Sequence, residues 1–237
     1  MRKLIKAVDL FAGVGGTSSG LYDAVEETGR KLKLTAINHW PLAIENHKAN
    51  HPDAEHICAR IESLSPRRVV PEGKLNILVA SPECIFHSNA RGSMPINDQL
   101  RASAWCIPDW ISSLNVESWA IENVKEFRFW GPVNSRGRKI KSREGETYQA
   151  YLAALRSLGY TVEDRVLNCA DYGDATSRER LFIIGRRGSK KIKWPTPTHI
   201  DAGESGVLFE DLQPWRAARE IIDFSFGLGN GRRLISA

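Results

Sequence analysis

Four short stretches of this chain carry side chains that can do chemistry, and each lies beside an apolar run of strand length. Leu78-Val79-Ala80-Ser81-Pro82-Glu83-Cys84 sets a cysteine just past one such run. A cysteine is ordinarily a small buried hydrophobe, but at a strand end, ahead of the polar, Gly- and Pro-bearing stretch Ile85–Pro95, it is positioned as a nucleophile beneath a loop. His87 and Arg91 favour its thiolate, whereas Glu83 beside it works the other way. Trp119-Ala120-Ile121-Glu122-Asn123-Val124 puts a carboxylate at the end of another run, where burial lets it hold or deliver a proton; a helix N-cap is the alternative role for Glu122 or Asn123.

The third stretch, Asp9-Leu10-Phe11-Ala12-Gly13-Val14-Gly15-Gly16, follows the first apolar run and precedes helical spacing from Thr17 to Glu27. Glycines there let the backbone turn sharply and approach a ligand, and a helix N-terminus offers free N–H groups. Gly-x-Gly alone also suits a plain tight turn. The spacing is neither a P-loop nor a full dinucleotide fingerprint, and it better fits a smaller charged cofactor carrying adenosine and an amino-acid group. The fourth stretch, Thr176-Ser177-Arg178-Glu179-Arg180, enters the apolar run Leu181–Ile184 with two arginines at alternate positions. They share a face and can hold a carboxylate, a phosphate or a base, or serve as surface ion-pair partners.

These stretches need a scaffold that brings strand ends together. Apolar runs recur at Leu4–Leu10, Leu34–Ile37, Leu75–Ala80, Trp119–Ile121, Val162–Leu167 and Leu181–Ile184. Between them, helical spacing is carried by Leu42, Ile44 and Ala49, by Ala104, Ile107, Trp110 and Ile111, and by Tyr148, Tyr151, Leu152, Leu155 and Leu158. The alternation predicts an α/β fold, a doubly wound, mostly parallel sheet with helices on both faces, whose ligands sit at the carboxyl ends of the strands. Trp194 through Phe209 reads as an irregular connection, Arg216–Ile222 as a short helix, and Gly-Leu-Gly-Asn-Gly-Arg-Arg after Phe226 as unstructured.

Length and composition bound the rest. At 237 residues, with 42% hydrophobic and 26% charged residues, the chain can fold on its own core and is neither disordered nor fibrous. No apolar run approaches the ~18 residues of a membrane span, and Arg2, Lys3 and Lys6 interrupt the start before a signal-peptide core forms; a cytoplasmic location and no membrane partner are expected. Cys58, Cys84, Cys106 and Cys169 have no metal-ligand spacing, so no metal is expected. A net charge of +5 is concentrated in two runs, Arg136, Arg138, Lys139, Lys141 and Arg143, then Arg186, Arg187, Lys190, Lys191 and Lys193. Each suits either a solvated loop or a phosphate backbone.

Taken in order, Asp-Leu-Phe-Ala-Gly-x-Gly-Gly, Ser-Pro-x-Cys with a loop, Glu-Asn-Val, and Arg-Glu-Arg before an apolar strand resemble the S-adenosylmethionine-dependent DNA cytosine-5 methyltransferases. The resemblance covers Lys3 to Arg187 and implies a class I, Rossmann-like methyltransferase fold, with S-adenosylmethionine as cofactor and double-stranded DNA as partner. It implies that Cys84 attacks C6 of cytosine, that Glu122 hydrogen-bonds N3 and the exocyclic amine, that Asn123 shapes the pocket, and that Arg178 and Arg180 contact the base and order the site. Asp9, Phe11, Ala12, Gly13, Gly15, Gly16, Asn38, His39, Trp40, Arg60, Ile61 and Pro82 are the implied cofactor positions. The chemistry asks for the same types: thiolate addition at C6 makes C5 enamine-like, and a proton at N3 supports that addition.

The chain departs from the family pattern at four places. Glu83 stands where a second proline is usual, as in a phage-associated branch that shares His87-Ser88 and Arg91-Gly92. Asn38 stands near the usual ribose-binding carboxylate, Arg60 near the usual adenine-accepting Asp, and Thr176 in place of Gln. Arginine has no acceptor. The pattern leads to residues 1–193 as a methyltransferase catalytic domain and 194–237 as a connecting segment, without the target-recognition domain and C-terminal motif of the family. The expected activity of the chain by itself is weak. Alternatives are a catalytically impaired DNA-binding remnant, one subunit of a split enzyme whose second polypeptide supplies recognition, or an RNA cytosine-5 methyltransferase.

Overall fold

The computed structural model describes residues 4–83, 102–201 and 212–222. They form two compact units, one of Met1–Val166 with Arg180–Lys193 and one of Leu167–Glu179 with Trp194–Ala237. The first is built on a seven-stranded sheet of β1 (Leu4–Leu10), β2 (Lys31–Asn38), β3 (Glu55–Cys58), β4 (Lys74–Ala80), β5 (Asn115–Asn123), β6 (Tyr160–Asn168) and β7 (Glu179–Arg187), in the order β3-β2-β1-β4-β5-β7-β6. β1 pairs in parallel with β2 and β4, β2 with β3, and β4 with β5, while β7 runs antiparallel to β5. Strand order reverses between β1 and β4, so the ligand crevice of such a sheet opens at their carboxyl ends.

The connections carry α1 (Gly16–Glu27), α2 (Pro41–Asn50), α3 (Pro66–Val69), α4 (Cys106–Ser113) and α5 (Glu146–Ser157). Side chains alternate across the sheet, so Val8 and Leu10 join one apolar cluster with Ile107, Trp110 and Ile111 of α4 and Tyr151, Leu152 and Leu155 of α5. Ala7, the residue before Val8, packs on the other face with Leu34, Leu21 and Tyr22. This is the doubly wound sheet that the alternating pattern predicts.

Four local readings change. β3 was not among the apolar runs, because Glu55-His56-Ile57-Cys58 is a short edge strand with no fully buried residue. α2 does not bury Leu42 and Ala49, which are exposed; its inward residues are Ala43 and His47, four apart. In the second unit, the 3-10 turn Cys169–Tyr172 is held by Thr198 N–H donating to the Asp171 carbonyl at 2.8 Å and Trp215 Nε1 donating to the Asp171 carboxylate at 3.0 Å. The stretch read as irregular contains β8 (His199–Ile200), paired with β9 (Gln213–Pro214), and the expected Arg216–Ile222 helix is a single 3-10 turn, Ala218–Glu220.

Candidate active site

The loop after β1 is fixed by its backbone. Phe11 takes the left-handed conformation at φ 62°, unusual for a residue with a side chain, and Gly13 and Gly15 follow at 56° and 103°. Ala12 N–H donates to the Ile37 carbonyl and Gly15 N–H to that of Ala12, both at 3.1 Å. Gly15 is required twice over, since a Cβ there would also run into the His51 ring. The N-cap of α1 is Gly15, which has no side chain to cap the helix, so the first N–H groups, from Gly16 on, can serve an anionic group.

Beneath this loop lies a polar chain that sequence reading did not find. Asp9 is fully buried; its Oδ2 accepts from Ser18 Oγ at 2.7 Å, and its Oδ1 has no partner among the described residues. Burial pushes its carboxyl up to about 7, against the opposing effect of the Ser18 hydrogen bond. Ser18 Oγ also meets His47 Nε2 at 3.0 Å, and His47 Nδ1 meets His56 Nε2 at 2.9 Å. Burial, then the neighbouring His51 and His56, bring buried His47 down to about 4, so its ring is neutral at physiological pH. α2 also grips the loop directly: Asn50 Nδ2 donates to the Val14 carbonyl at 2.9 Å, and His51 Nε2 lies 3.1 Å from the Gly15 carbonyl. The only signal was the placement of His47, Asn50 and His51 one turn apart.

At the end of β2, the Asn38 side-chain oxygen accepts the Trp40 N–H at 2.9 Å and so starts α2, which has Pro41 in its first turn. Trp40 is 56% exposed, its ring free to offer an aromatic face. His39 turns instead toward Glu83 at the end of β4, with Nε2 and Oε1 3.7 Å apart. After β3, Ile61 is buried in the main apolar cluster, whereas Arg60 is exposed and faces Glu62.

The carboxyl ends of β4 and β5 are tied together. Ser81 N–H donates to the Leu10 carbonyl at 3.1 Å, and buried Asn123 donates from Nδ2 to the Pro82 carbonyl at 3.2 Å while its Oδ1 accepts the Val124 N–H. Cys84, with His87 and Arg91, lies outside the described residues. Next to Asn123, Glu122 is 28% exposed and its Oε1 stands 3.0 Å from Arg180 Nε. The antiparallel register explains the meeting: Glu122 faces Phe182, so Arg180, two residues earlier on β7, lies diagonally across the ladder on the same face. Glu122 therefore has an arginine partner in the sheet. Arg178 precedes β7, which starts at Glu179, and belongs to the second unit, where its carbonyl accepts the Cys169 N–H.

The basic runs divide. Arg136, Arg138 and Lys139 are exposed around a turn whose Asn134 Oδ1 accepts the N–H groups of Arg136 and Arg138, and Lys141 beyond it is exposed as well. Arg143 is held by Glu146. Arg187 is structural, donating to the Val116 carbonyl and the Tyr160 hydroxyl. Among the described residues, no group of three or more His, Cys, Asp or Glu is arranged to hold a metal, and no helix is long and apolar enough to cross a membrane.

The Type II methyltransferase M.AquIA of Picosynechococcus sp. is 26% identical over 225 residues, which span 92% of this chain and 87% of that protein. M.AgeI of Thalassovita gelatinovora is 27% identical over 214 residues, 87% of this chain but 45% of that protein. In fold, the chain is similar to a DNA modification methyltransferase encoded within an E. coli prophage, at a TM-score of 0.60 and 23% identity, covering 83% of this chain and 52% of that one. This chain thus spans most of one relative and about half of the others. Residues 5–214 match the family described as C-5 cytosine-specific DNA methylase, and the chain belongs to that family.

Proposed function

We propose that this chain holds the catalytic region of an S-adenosylmethionine-dependent methyltransferase acting on C5 of cytosine in DNA. The observation that carries the reading is the junction of β4 and β5, where Asn123 fixes the Pro82 carbonyl two residues before Cys84 and Glu122 stands beside it against Arg180. The cofactor fits the loop of Phe11–Gly16, the open first turn of α1 and the exposed Trp40 ring. When bound, it supplies an electrophilic methyl group.

In this reading the Cys84 thiolate forms a bond to C6 of a cytosine turned out of the helical stack. The electron pair of the C5–C6 double bond is displaced into the ring as N3 takes a proton under the control of Glu122, which makes C5 the nucleophile. Arg180 holds the Glu122 carboxylate in place. After C5 takes the methyl group, the C5 proton is lost to solvent, N3 returns its proton to Glu122, and the Cys84 sulfur leaves C6 as thiolate, restoring the C5–C6 double bond. Phe11, Ala12, Gly13, Gly15 and Gly16 would hold the cofactor on their loop, Asp9 supports that loop from the interior, and Trp40 would offer its exposed ring to the adenine, with buried Ile61 backing the turn after β3.

Residues 1–193 form the catalytic domain in this proposal, 194–237 a connection, and the setting is the cytoplasm. Exposed Arg136, Arg138, Lys139 and Lys141 meet the phosphate backbone. A second polypeptide carrying target recognition is the partner the reading admits. Exposed Arg60, a donor without acceptors, favours a second reading in which cofactor binding is impaired and DNA binding remains. The test is transfer of tritiated methyl from S-adenosylmethionine to duplex DNA, with and without a recognition-domain polypeptide, and to RNA in parallel. Label at cytosine C5 of DNA supports the proposal. Label in RNA alone, or none with either polypeptide set, overturns it.

A further inference from the structure

A nucleoside bound over a doubly wound sheet is ordinarily held by a carboxylate at the end of the second strand, which accepts from the ribose hydroxyls. The end of β2 here has none. Asn38 has its side-chain oxygen occupied by the Trp40 N–H, its amide nitrogen can only donate, and His39 and Trp40 bring no carboxylate. Of the nearby acids, Asp9 is buried against Ser18, Glu122 is held by Arg180 at 3.0 Å, and Glu62 belongs to the turn that follows β3.

Glu83 is the exception. It lies just past β4, is 43% exposed in its side chain, and reaches back to His39 at the end of β2. β1 runs between β2 and β4, so the two strands stand about 10 Å apart and the pair spans that gap beside the turn that follows Leu10. At 3.7 Å the contact is too long for a hydrogen bond, so among the described residues the carboxylate keeps its acceptor sites for another donor. Two oxygens on one carbon match the two neighbouring hydroxyls of a ribose.

We propose that Glu83 receives the ribose hydroxyls of the adenosyl cofactor, supplying from β4 the carboxylate that β2 lacks, with His39 as the positioning residue that draws it there. The inference rests on the cofactor assignment proposed above. It also gives a role to a glutamate that, beside a nucleophilic cysteine, otherwise only opposes the thiolate.

The experiment measures by calorimetry the affinities of S-adenosylhomocysteine, of its analogue lacking both ribose hydroxyls, and of S-adenosylmethionine. Wild type, Glu83→Gln and His39→Ala are compared, with melting curves confirming that each variant is folded. Wild type should prefer the ribose form by roughly ten- to a hundredfold, since a hydrogen bond to a charged acceptor is among the stronger ones. Glu83→Gln, which loses the charge and one of the two acceptor oxygens, should cut that ratio several-fold while leaving the affinity of the dihydroxyl-free analogue unchanged, and His39→Ala should reduce the ratio in part. A ratio kept in Glu83→Gln overturns the inference and leaves the cofactor assignment standing. Weakening of S-adenosylmethionine alone places Glu83 against the sulfonium and overturns the ribose role. Failure of the wild-type chain to bind any of the three overturns the cofactor reading and this inference with it.

Discussion

Replacing Asp9 with asparagine should leave a pH signature of definite sign. The buried carboxyl goes from an ordinary 3.8 to about 7. Between those values the unfolded chain has released the Asp9 proton while the folded chain retains it, so this group's contribution falls as pH rises, by at most about 1.4 kcal/mol per pH unit. It is fully present below pH 4 and lost by about pH 7. Asp9→Asn keeps an acceptor for Ser18 Oγ and removes the titration. The stability of the variant minus that of wild type should therefore grow with pH from 4 to 7, by roughly 4 kcal/mol at most, and level off above.

His47 supplies the opposite control. Its pKa falls from 6.5 to about 4, so between those values the unfolded chain binds a proton that the folded chain refuses, and stability rises with pH. In His47→Gln minus wild type, the difference should fall, becoming more negative, as pH rises from 4 to 6.5, on top of a constant cost for the lost Ser18 and His56 contacts. Urea unfolding at four pH values between 4.5 and 7.5, followed by tryptophan fluorescence, measures both differences. Taking differences cancels the background of the other ionisable groups. A flat Asp9→Asn difference, or one that falls with pH, would refute the buried-carboxylate account.

Four other changes bear on three parts of the structure. Gly185→Ala sets a methyl against the indole of buried Trp119, its register partner, and should cost about 1–3 kcal/mol by overpacking, read as a lower melting temperature. Asn123→Ala removes a buried donor to the Pro82 carbonyl and should cost about 1–3 kcal/mol, with a slower methyl-transfer rate because the approach to Cys84 is loosened. Glu122→Gln should lower kcat by roughly 10²–10⁴ with little change in cofactor affinity, and Arg180→Ala should lower it less; equal rates in all three proteins would remove Glu122 from proton control.

The sheet was legible where strands are buried on both faces. Leu4–Leu10 and Leu75–Ala80 are apolar enough to be read directly, and the residues that end them mark the crevice. β3 was not legible because an edge strand needs no apolar run, and its placement depends on the register with β2. The inward face of α2 was misread because it carries a histidine, whose burial is balanced by Ser18 and His56, contacts that exist only after β1, α1 and β3 have assembled. The same holds for the site. Gly15 announces a special backbone by its type, whereas Phe11 gives no sign of its left-handed conformation. Glu122 could be found at a strand end, but its pairing with Arg180 depends on the antiparallel register of β5 and β7, and that of Glu83 with His39 on a strand order that folds β1 between them.

The central claim is that Cys84 forms a bond to cytosine under S-adenosylmethionine, and trapping on DNA tests it most directly. A duplex containing 5-fluorocytosine blocks the final proton loss, so the covalent species accumulates. The account predicts a denaturation-resistant protein–DNA adduct that requires S-adenosylmethionine, is lost in Cys84→Ser, and maps by mass spectrometry to Cys84. An adduct that survives Cys84→Ser, or no adduct with cofactor and a recognition polypeptide both present, would contradict it.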